Sequence, residues 1–191
     1  MATNTGSKEF FEEKYRANSD PWNFSSSSYE LNRYAQIMRM LGNRSVDSAL
    51  EPGCSIGVLT ESLAGRCRRL FAMDISPTAV AIARARCAHC PNVTIIEGKL
   101  PEDLPADIFD LIVFSEIGYY FERTALAVIR DLLISRLARQ GLLVGVHWLG
   151  VSADHSLTGD EVHGVLRSGN SLRVVASECH EGFLLESWER T

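Results

Sequence analysis

No run of about 18 uninterrupted apolar residues, the length a membrane-spanning helix needs, occurs in the sequence. The first 20 residues are polar and charged, without the apolar stretch of roughly 7–15 residues that marks a secretory leader. Basic runs are missing too: 19 lysines and arginines stand against 24 acidic residues, for a formal net charge of -5. An electrostatic grip on nucleic-acid phosphates needs the opposite balance. Cysteine is scarce and unpatterned, since Cys54, Cys67, Cys87, Cys90 and Cys179 are odd in number and lack framework spacing. That argues against a disulfide scaffold and for a reducing compartment. A cytoplasmic protein with neither membrane nor nucleic acid as partner is therefore expected, and the absences leave oligomeric state open. Internal repeats are absent, and SSSS at 25–28 is the one low-complexity patch.

What is present is enough for one sizeable core: 191 residues, 46% of them hydrophobic. Residues 1–43 are expected to form a helical cap in two pieces, divided by the breaker-rich 19-SDPWNFSSSS-28. In the second piece Leu31, Tyr34, Ile37, Met38 and Leu41 recur at helical spacing, and Gly42 can stop it. From 44 to 191 the pattern alternates. Apolar runs at 46-VDSALEP, 69-RLFAMD, 93-VTIIEG, 110-DLIVFSE and 141-GLLVGVHW are separated by helical stretches at 58-VLTESLA, 77-PTAVAIARARC and 123–139. Short, nearly continuous apolar strands between helices predict an α/β, doubly wound, mostly parallel sheet covered on both faces. After a short helix near 159–168, two strand-like runs flank His180-Glu181-Gly182, which predicts a closing hairpin with an antiparallel last strand.

The informative stretch is 51-EPGCSIG-57, at the end of the first strand. Ligands of such sheets bind beyond the carboxyl ends of the strands, so this corner has privileged access. Gly53 and Gly57 allow close backbone approach, and amides opening the helix at Val58 can anchor an anion. A dinucleotide fingerprint would place glycine at 55 and glycine or alanine at 58, where this chain has Ser55 and Val58. Glu51 discriminates further: an acid there repels pyrophosphate and accepts from an ammonium group. The second strand ends in Asp74, placed to take both hydroxyls of a ribose. A plain tight turn at the glycines, and Asp74 as a cap for the helix near Pro77, are the structural alternatives.

At this point the residues resemble class I S-adenosylmethionine-dependent methyltransferases over about 46–147. The glycine loop looks like 51-EPGCSIG-57, the ribose acid like Asp74 followed by Ile75, the adenine loop like 97-EGKL-100 and the fourth strand like 109-FDLIVFSE-116. The resemblance implies a seven-stranded Rossmann-like sheet with an antiparallel last strand, S-adenosyl-L-methionine as cofactor, and contacts from Glu51, Gly53, Cys54, Ser55, Gly57, Asp74, Ile75, Gly98, Lys99, Leu100 and Ser115. Two positions depart from the pattern: Ser55 replaces the middle glycine, and Lys99 replaces an aspartate that meets the adenine amino group. A closer likeness is to the NodS group, rhizobial nodulation N-methyltransferases acting on an amino sugar at the end of a chitooligosaccharide. It rests on 20-DPWNF-24, 29-YELNRY-34 and 110-DLIVFSEIGYYF-121, while the tail 147-HWLGVSADHSLTGDEVH-163 departs from that group. The implied partner is a small-molecule acceptor, an amino sugar or oligosaccharide among the candidates. O-methylation of another metabolite, a nicotinamide-dependent oxidoreductase and a non-catalytic nucleotide-binding module are the rival readings.

Methyl transfer is chiefly alignment, and an ammonium acceptor must first lose its proton. The residues just past strands 4 and 5 are placed for this: Glu116 and His147 as proton acceptors, and Tyr119, Tyr120 and Trp148 as acceptor walls, with Tyr120 the more core-like tyrosine. Trp22, in the breaker-rich loop, is expected as a lid over the cofactor. Arg33 is either a bidentate partner for the methionine carboxylate or part of a solvated helix face. No metal is expected: 87-CAHC-90 has no second CxxC nearby, and in 154-DHSLTGDEVH-163 helix capping by Thr158 or Asp160 explains the polar residues better.

Overall fold

The computed structural model describes residues 6–191. Seven strands, β1 (Val46–Pro52), β2 (Cys67–Asp74), β3 (Val93–Glu97), β4 (Phe109–Ser115), β5 (Leu137–Trp148), β6 (Leu172–His180) and β7 (Phe183–Arg190), form a single sheet. Their order is β3-β2-β1-β4-β5-β7-β6. β1 to β5 run parallel; β7 is antiparallel to both β5 and β6, as the terminal hairpin predicted. The strand order reverses between β1 and β4, which opens a crevice above their carboxyl ends.

The central strands are apolar along their length because both faces are covered. One core layer joins Tyr34, Ile37 and Leu41 of α2 (Ser28–Leu41) and Leu59 and Leu63 of α3 (Val58–Ala64) to Ala49, Leu111, Val113 and Val144 of the sheet. On the other face α5 (Arg123–Arg136) and α6 (Gly159–Arg167) bury Leu126, Ile129, Leu133, Val162 and Leu166 against Leu50, Ile112, Phe114 and Leu143. α4 (Pro77–Arg86) begins with Ser76 as cap, its Oγ accepting from Ala79 N, and with proline in the first turn, where no amide is missed. Thr158 and Glu161 form a reciprocal capping box on α6. Among the described residues no helix is long and apolar enough to cross a membrane.

Two elements differ from the sequence expectation. The helix expected over 123–139 stops at Arg136, and Leu137 already pairs with Phe109, so β5 starts four residues early across an irregularity in its register with β4. On α2, Leu31 is exposed while Arg33 is buried. The apolar period is broken there because the helix offers a cation, not a leucine, to the crevice.

α1 (Lys8–Ala17) crosses the mouth of the crevice. Its Glu12 carboxylate accepts from Ser76 Oγ at 2.7 Å, Thr78 N at 3.1 Å and Thr78 Oγ1 at 2.7 Å, so α1 doubles as an acidic cap for α4. Burial alone would raise the Glu12 carboxyl; these hydrogen bonds outweigh it and hold it at about 2. Lys8 pairs with Glu97 at one rim, and Lys14 reaches Asp154 at 3.3 Å at the other.

Candidate active site

The crevice encloses a cavity of about 1080 Å³, at the upper end of the roughly 300–1,000 Å³ of small-molecule sites. Residues from the cap, the glycine loop and the ends of β2, β3, β4 and β5 line it. The strand tips are stitched sideways: Met73 O accepts from Gly53 N and Cys54 N at 2.7 and 2.9 Å, and Asp74 O accepts from Gly98 N at 2.9 Å. Gly53 (φ 79°) is required by contact as well as conformation, because an added Cβ would run into Ile117. Ser55 takes the left-handed φ of 50° that the middle glycine of the loop would favour. Its hydroxyl is held by Tyr15 Oη of α1 at 2.5 Å, a contact that glycine cannot make. Gly57, expected against the cofactor, lies outside the cavity lining; it caps α3 and gives room to Ala83, 3.0 Å from an added Cβ. Cys54 is likewise buried below the loop and not on the main wall.

The two acids sit on either side of this loop. Glu51 is fully buried, takes Thr60 Oγ1 on one oxygen at 2.6 Å, and faces a small recess of about 30 Å³ behind Gly53. Burial pushes its carboxyl up to about 8 because no cation faces it, and the nearby Asp74 charge adds to this. Asp74 lines the main cavity, its carboxylate oriented by Ser55 N at 2.8 Å and Ser76 N at 2.9 Å. Burial raises it to about 6 against those amides. Ser76, not Asp74, caps α4. Met73, Ile75, Gly98 and Leu100 give the neighbouring wall an apolar character, and Lys99 also lines it, its ammonium paired with Glu102 at 2.9 Å.

Three expectations about the polar residues need correction. Arg33 is neither solvated nor free for bidentate recognition: it pairs with Glu30 and, at 2.9 Å, with Glu116. Its Nε alone has no partner among the described residues. Two carboxylates sharing one guanidinium leave this corner with excess negative charge; burial lifts Glu30 to about 7 despite the pairing. Glu116 is not an open proton acceptor. One oxygen accepts Trp148 N at 2.7 Å, and the other takes Tyr119 Oη at 2.7 Å together with Arg33. It sits at φ 58° at the end of β4, where it locks the tips of β4 and β5 together.

His147 is not a base in the cavity. Its ring is fully buried beneath the Gly118–Tyr120 turn, outside the lining, where Nε2 accepts from Gly118 N at 3.1 Å. Nδ1 faces His163 Nε2 at 3.2 Å, and His163 Nδ1 faces Glu186 Oε2 at 2.7 Å. Since Gly118 N can only donate, His147 carries its proton on Nδ1, and His163 carries its own on Nδ1 toward Glu186. Burial, with His163 beside it, drives His147 far below the usual imidazole range, consistent with this neutral chain. Arg167 and Ser177 also hold Glu186. The wire props up the turn that carries Tyr119 and Tyr120.

Of those tyrosines, Tyr119 is the more buried, reversing the expectation, and Tyr120 is the half-buried one; both line the cavity. Trp22, Ser115 and Trp148 line it. Phe11, Tyr15, Tyr29 and His155 also line it and were missed as site residues. His155 stacks on Tyr119 with centroids 3.7 Å apart and planes at 14°. The spacing of these four carries no functional pattern; only the clustering of His155 with other polar residues in 154–163 marks it in the sequence, and His163 of that cluster points instead to Glu186.

Comparison with known proteins agrees with this geometry. A family model described as Nodulation protein S (NodS) matches residues 3–147. Nodulation protein S of Sinorhizobium fredii is 36% identical over 129 residues, 65% of this chain and 59% of the relative. That of Bradyrhizobium diazoefficiens is 37% identical over 136 residues, 69% of this chain and 64% of the relative. The match thus spans less than two thirds of the length of either of these curated relatives. The crystal structure of N-methyltransferase NodS from Bradyrhizobium japonicum WM9 in complex with S-adenosyl-L-homocysteine has a TM-score of 0.87 and 28% identity, covering 98% of this chain and 99% of that one. With the glycine loop, the strand-tip acids and the cap all inside the matched residues, the chain belongs to the nodulation protein S (NodS) family.

Proposed function

We propose that this chain is an S-adenosyl-L-methionine-dependent N-methyltransferase whose acceptor is a small amine, an amino sugar or the amino-sugar end of an oligosaccharide. One observation carries the reading: two buried carboxylates, Glu51 and Asp74, stand on either side of a glycine loop at the point where the strand order reverses. The residues fit the cofactor. Among the described residues Glu51 is a buried acid lacking a cation and Arg33 Nε a buried donor without a partner, and Gly53 leaves a cradle that a side chain would fill. Glu51 would hold the amino group, Asp74 the ribose hydroxyls, and Met73, Ile75, Gly98 and Leu100 the adenine. Main chain or Leu100 would take the place of the aspartate missing at Lys99. When bound, the cofactor supplies an electrophilic methyl group on a sulfonium.

The chain's own contribution is alignment, exclusion of water and charge. α1 closes the mouth through Tyr15 and Glu12. The surplus of carboxylate over guanidinium at Glu30, Arg33 and Glu116 favours a cation nearby, as the aromatic faces do. An N-methyltransferase of the same family solved with S-adenosyl-L-homocysteine supports the reading.

Calorimetry and labelled-methyl transfer test it. The protein is expected to bind S-adenosyl-L-homocysteine but not NAD, and to label deacetylated chitooligosaccharides; absence of any heat with the homocysteine nucleoside ends the proposal. pH adds a sharper check. With Glu51 at about 8 in the free protein, pairing it with the ligand ammonium expels a proton. Affinity is therefore expected to rise with pH, by up to about tenfold per unit between 6 and 7.5, and the binding heat to vary with the buffer's ionisation enthalpy. A flat pH profile removes Glu51 from the amino-group site.

A further inference from the structure

The loop between β5 and α6 is pinned at both ends. Leu149 N donates to Gly182 O at 2.8 Å, and Ser156 N and Leu157 N donate to Tyr119 O at 2.8 and 3.3 Å. Between these anchors the chain arches over the cavity, placing Val151, Ser152 and His155 on its wall. The family match ends at residue 147, just before this arch. With Trp148, the arch is the part of the cavity wall that lies beyond the family model.

We propose that His155 takes the proton of the acceptor ammonium and that the arch carrying it forms the acceptor-selecting wall. The inference rests on the methyltransferase reading above. Its acid–base neighbours are held more closely to other groups. Glu116 is held by Arg33, Tyr119 and Trp148 N, and Glu30 lies against Arg33 through Oε2. His147 lies below the floor with its nitrogens committed. Tyr119 donates to Glu116 and, like Tyr120, is raised out of useful range by burial. His155 differs in being held by its ring face. Stacking on Tyr119 leaves both ring nitrogens in the free plane of the imidazole, with Tyr120 and Trp148 at its edges, centroids 5.1 and 6.1 Å away.

Burial lowers the His155 imidazole below its ordinary range, opposed by the Asp154 charge, so the ring is neutral at pH 7 with a lone pair to accept a proton. The charged and titratable groups around it are Asp154 on the arch, Lys14 of α1 paired with Asp154, Tyr119 and Tyr120 on the turn, Glu116 beyond Tyr119, and His147 below it. The step balances. An acceptor N–H proton passes to a ring nitrogen of His155; the freed lone pair forms the N–C bond to the methyl group while the C–S bond breaks and its electrons stay on sulfur. The methylated amine leaves as an ammonium, and His155 returns its proton to solvent.

The test uses the full chain, His155→Phe, which keeps the stack and loses both nitrogens, and His155→Gln, with deacetylated chitotetraose as amine probe. Both variants are expected to keep affinity for S-adenosyl-L-homocysteine within about twofold while kcat falls about 100-fold or more. In the wild type loaded with S-adenosyl-L-homocysteine, the His155 imidazole titration followed by NMR is expected to move when the amine is added. Wild-type rates in either folded variant, or an imidazole titration unmoved by the amine, overturn the proposal. Failure of the wild type to bind S-adenosyl-L-homocysteine overturns the methyltransferase reading instead.

Discussion

Asp74→Ala is expected to weaken S-adenosyl-L-homocysteine binding by about 100-fold. A carboxylate accepting from two sugar hydroxyls makes hydrogen bonds of roughly 1.5–3 kcal/mol each. Part of that is already spent on holding Ser55 N and Ser76 N, and burial has raised the free carboxyl to about 6, so the net falls near the lower end. About 2.7 kcal/mol corresponds to a factor of 100. Asp74→Asn, which retains one oxygen for a main-chain amide, separates the two duties: it should preserve thermal stability better than alanine yet lose most of the affinity. Calorimetry at pH 7.5 alongside thermal unfolding checks both. Affinity within threefold of wild type in a folded alanine variant would place the ribose elsewhere.

Arg33→Met is expected to have the largest effect on stability. Methionine keeps much of the apolar stem, but Glu30 and Glu116 then face each other in a buried corner without their shared cation. Removing one partner of a buried ion pair costs about 3–5 kcal/mol, which for a chain of this size lowers Tm by about 6–20 °C. The sign with pH follows from the acids. Burial already lifts Glu30 to about 7 with Arg33 beside it; once Arg33 is gone its protonation is favoured further in the folded state, so the penalty is full above its folded pKa and shrinks as pH falls. The deficit should therefore be smaller at pH 5 than at pH 8. Adding Glu30→Gln and Glu116→Gln should restore much of the loss. An Arg33→Met protein as stable as wild type at pH 8 would mean the three groups are not in contact in solution.

The succession of strands and helices, the antiparallel closing strand and the glycine corner were legible in the sequence because each has a local signature: apolar runs of strand length, turn residues between them, and Glu51 and Asp74 at the ends of the first two strands. The cofactor end of the site inherits that legibility. The acceptor end does not, because its residues are defined by partners distant in the chain. Arg33 looks like a surface residue of an amphipathic helix until Glu116 is placed opposite it, and Glu116 looks like a free base until Arg33, Tyr119 and Trp148 N claim it. His147 stands at a strand end as a base would, but the arrival of α6 and β7 brings His163 and Glu186 to its other side. His155 has no periodic signal at all; only the fold of the arch turns it onto Tyr119.

The histidine wire below the Tyr119 turn has one further consequence. Because a peptide amide terminates it at Gly118 and a carboxylate terminates it at Glu186, every hydrogen along it points away from the turn, and neither ring can reverse alone without setting two donors or two lone pairs against each other. Such a line has polarity but no conductance. It can brace the turn, and it cannot ferry protons to or from the chamber above, so in this half of the molecule support and chemistry are carried by different histidines.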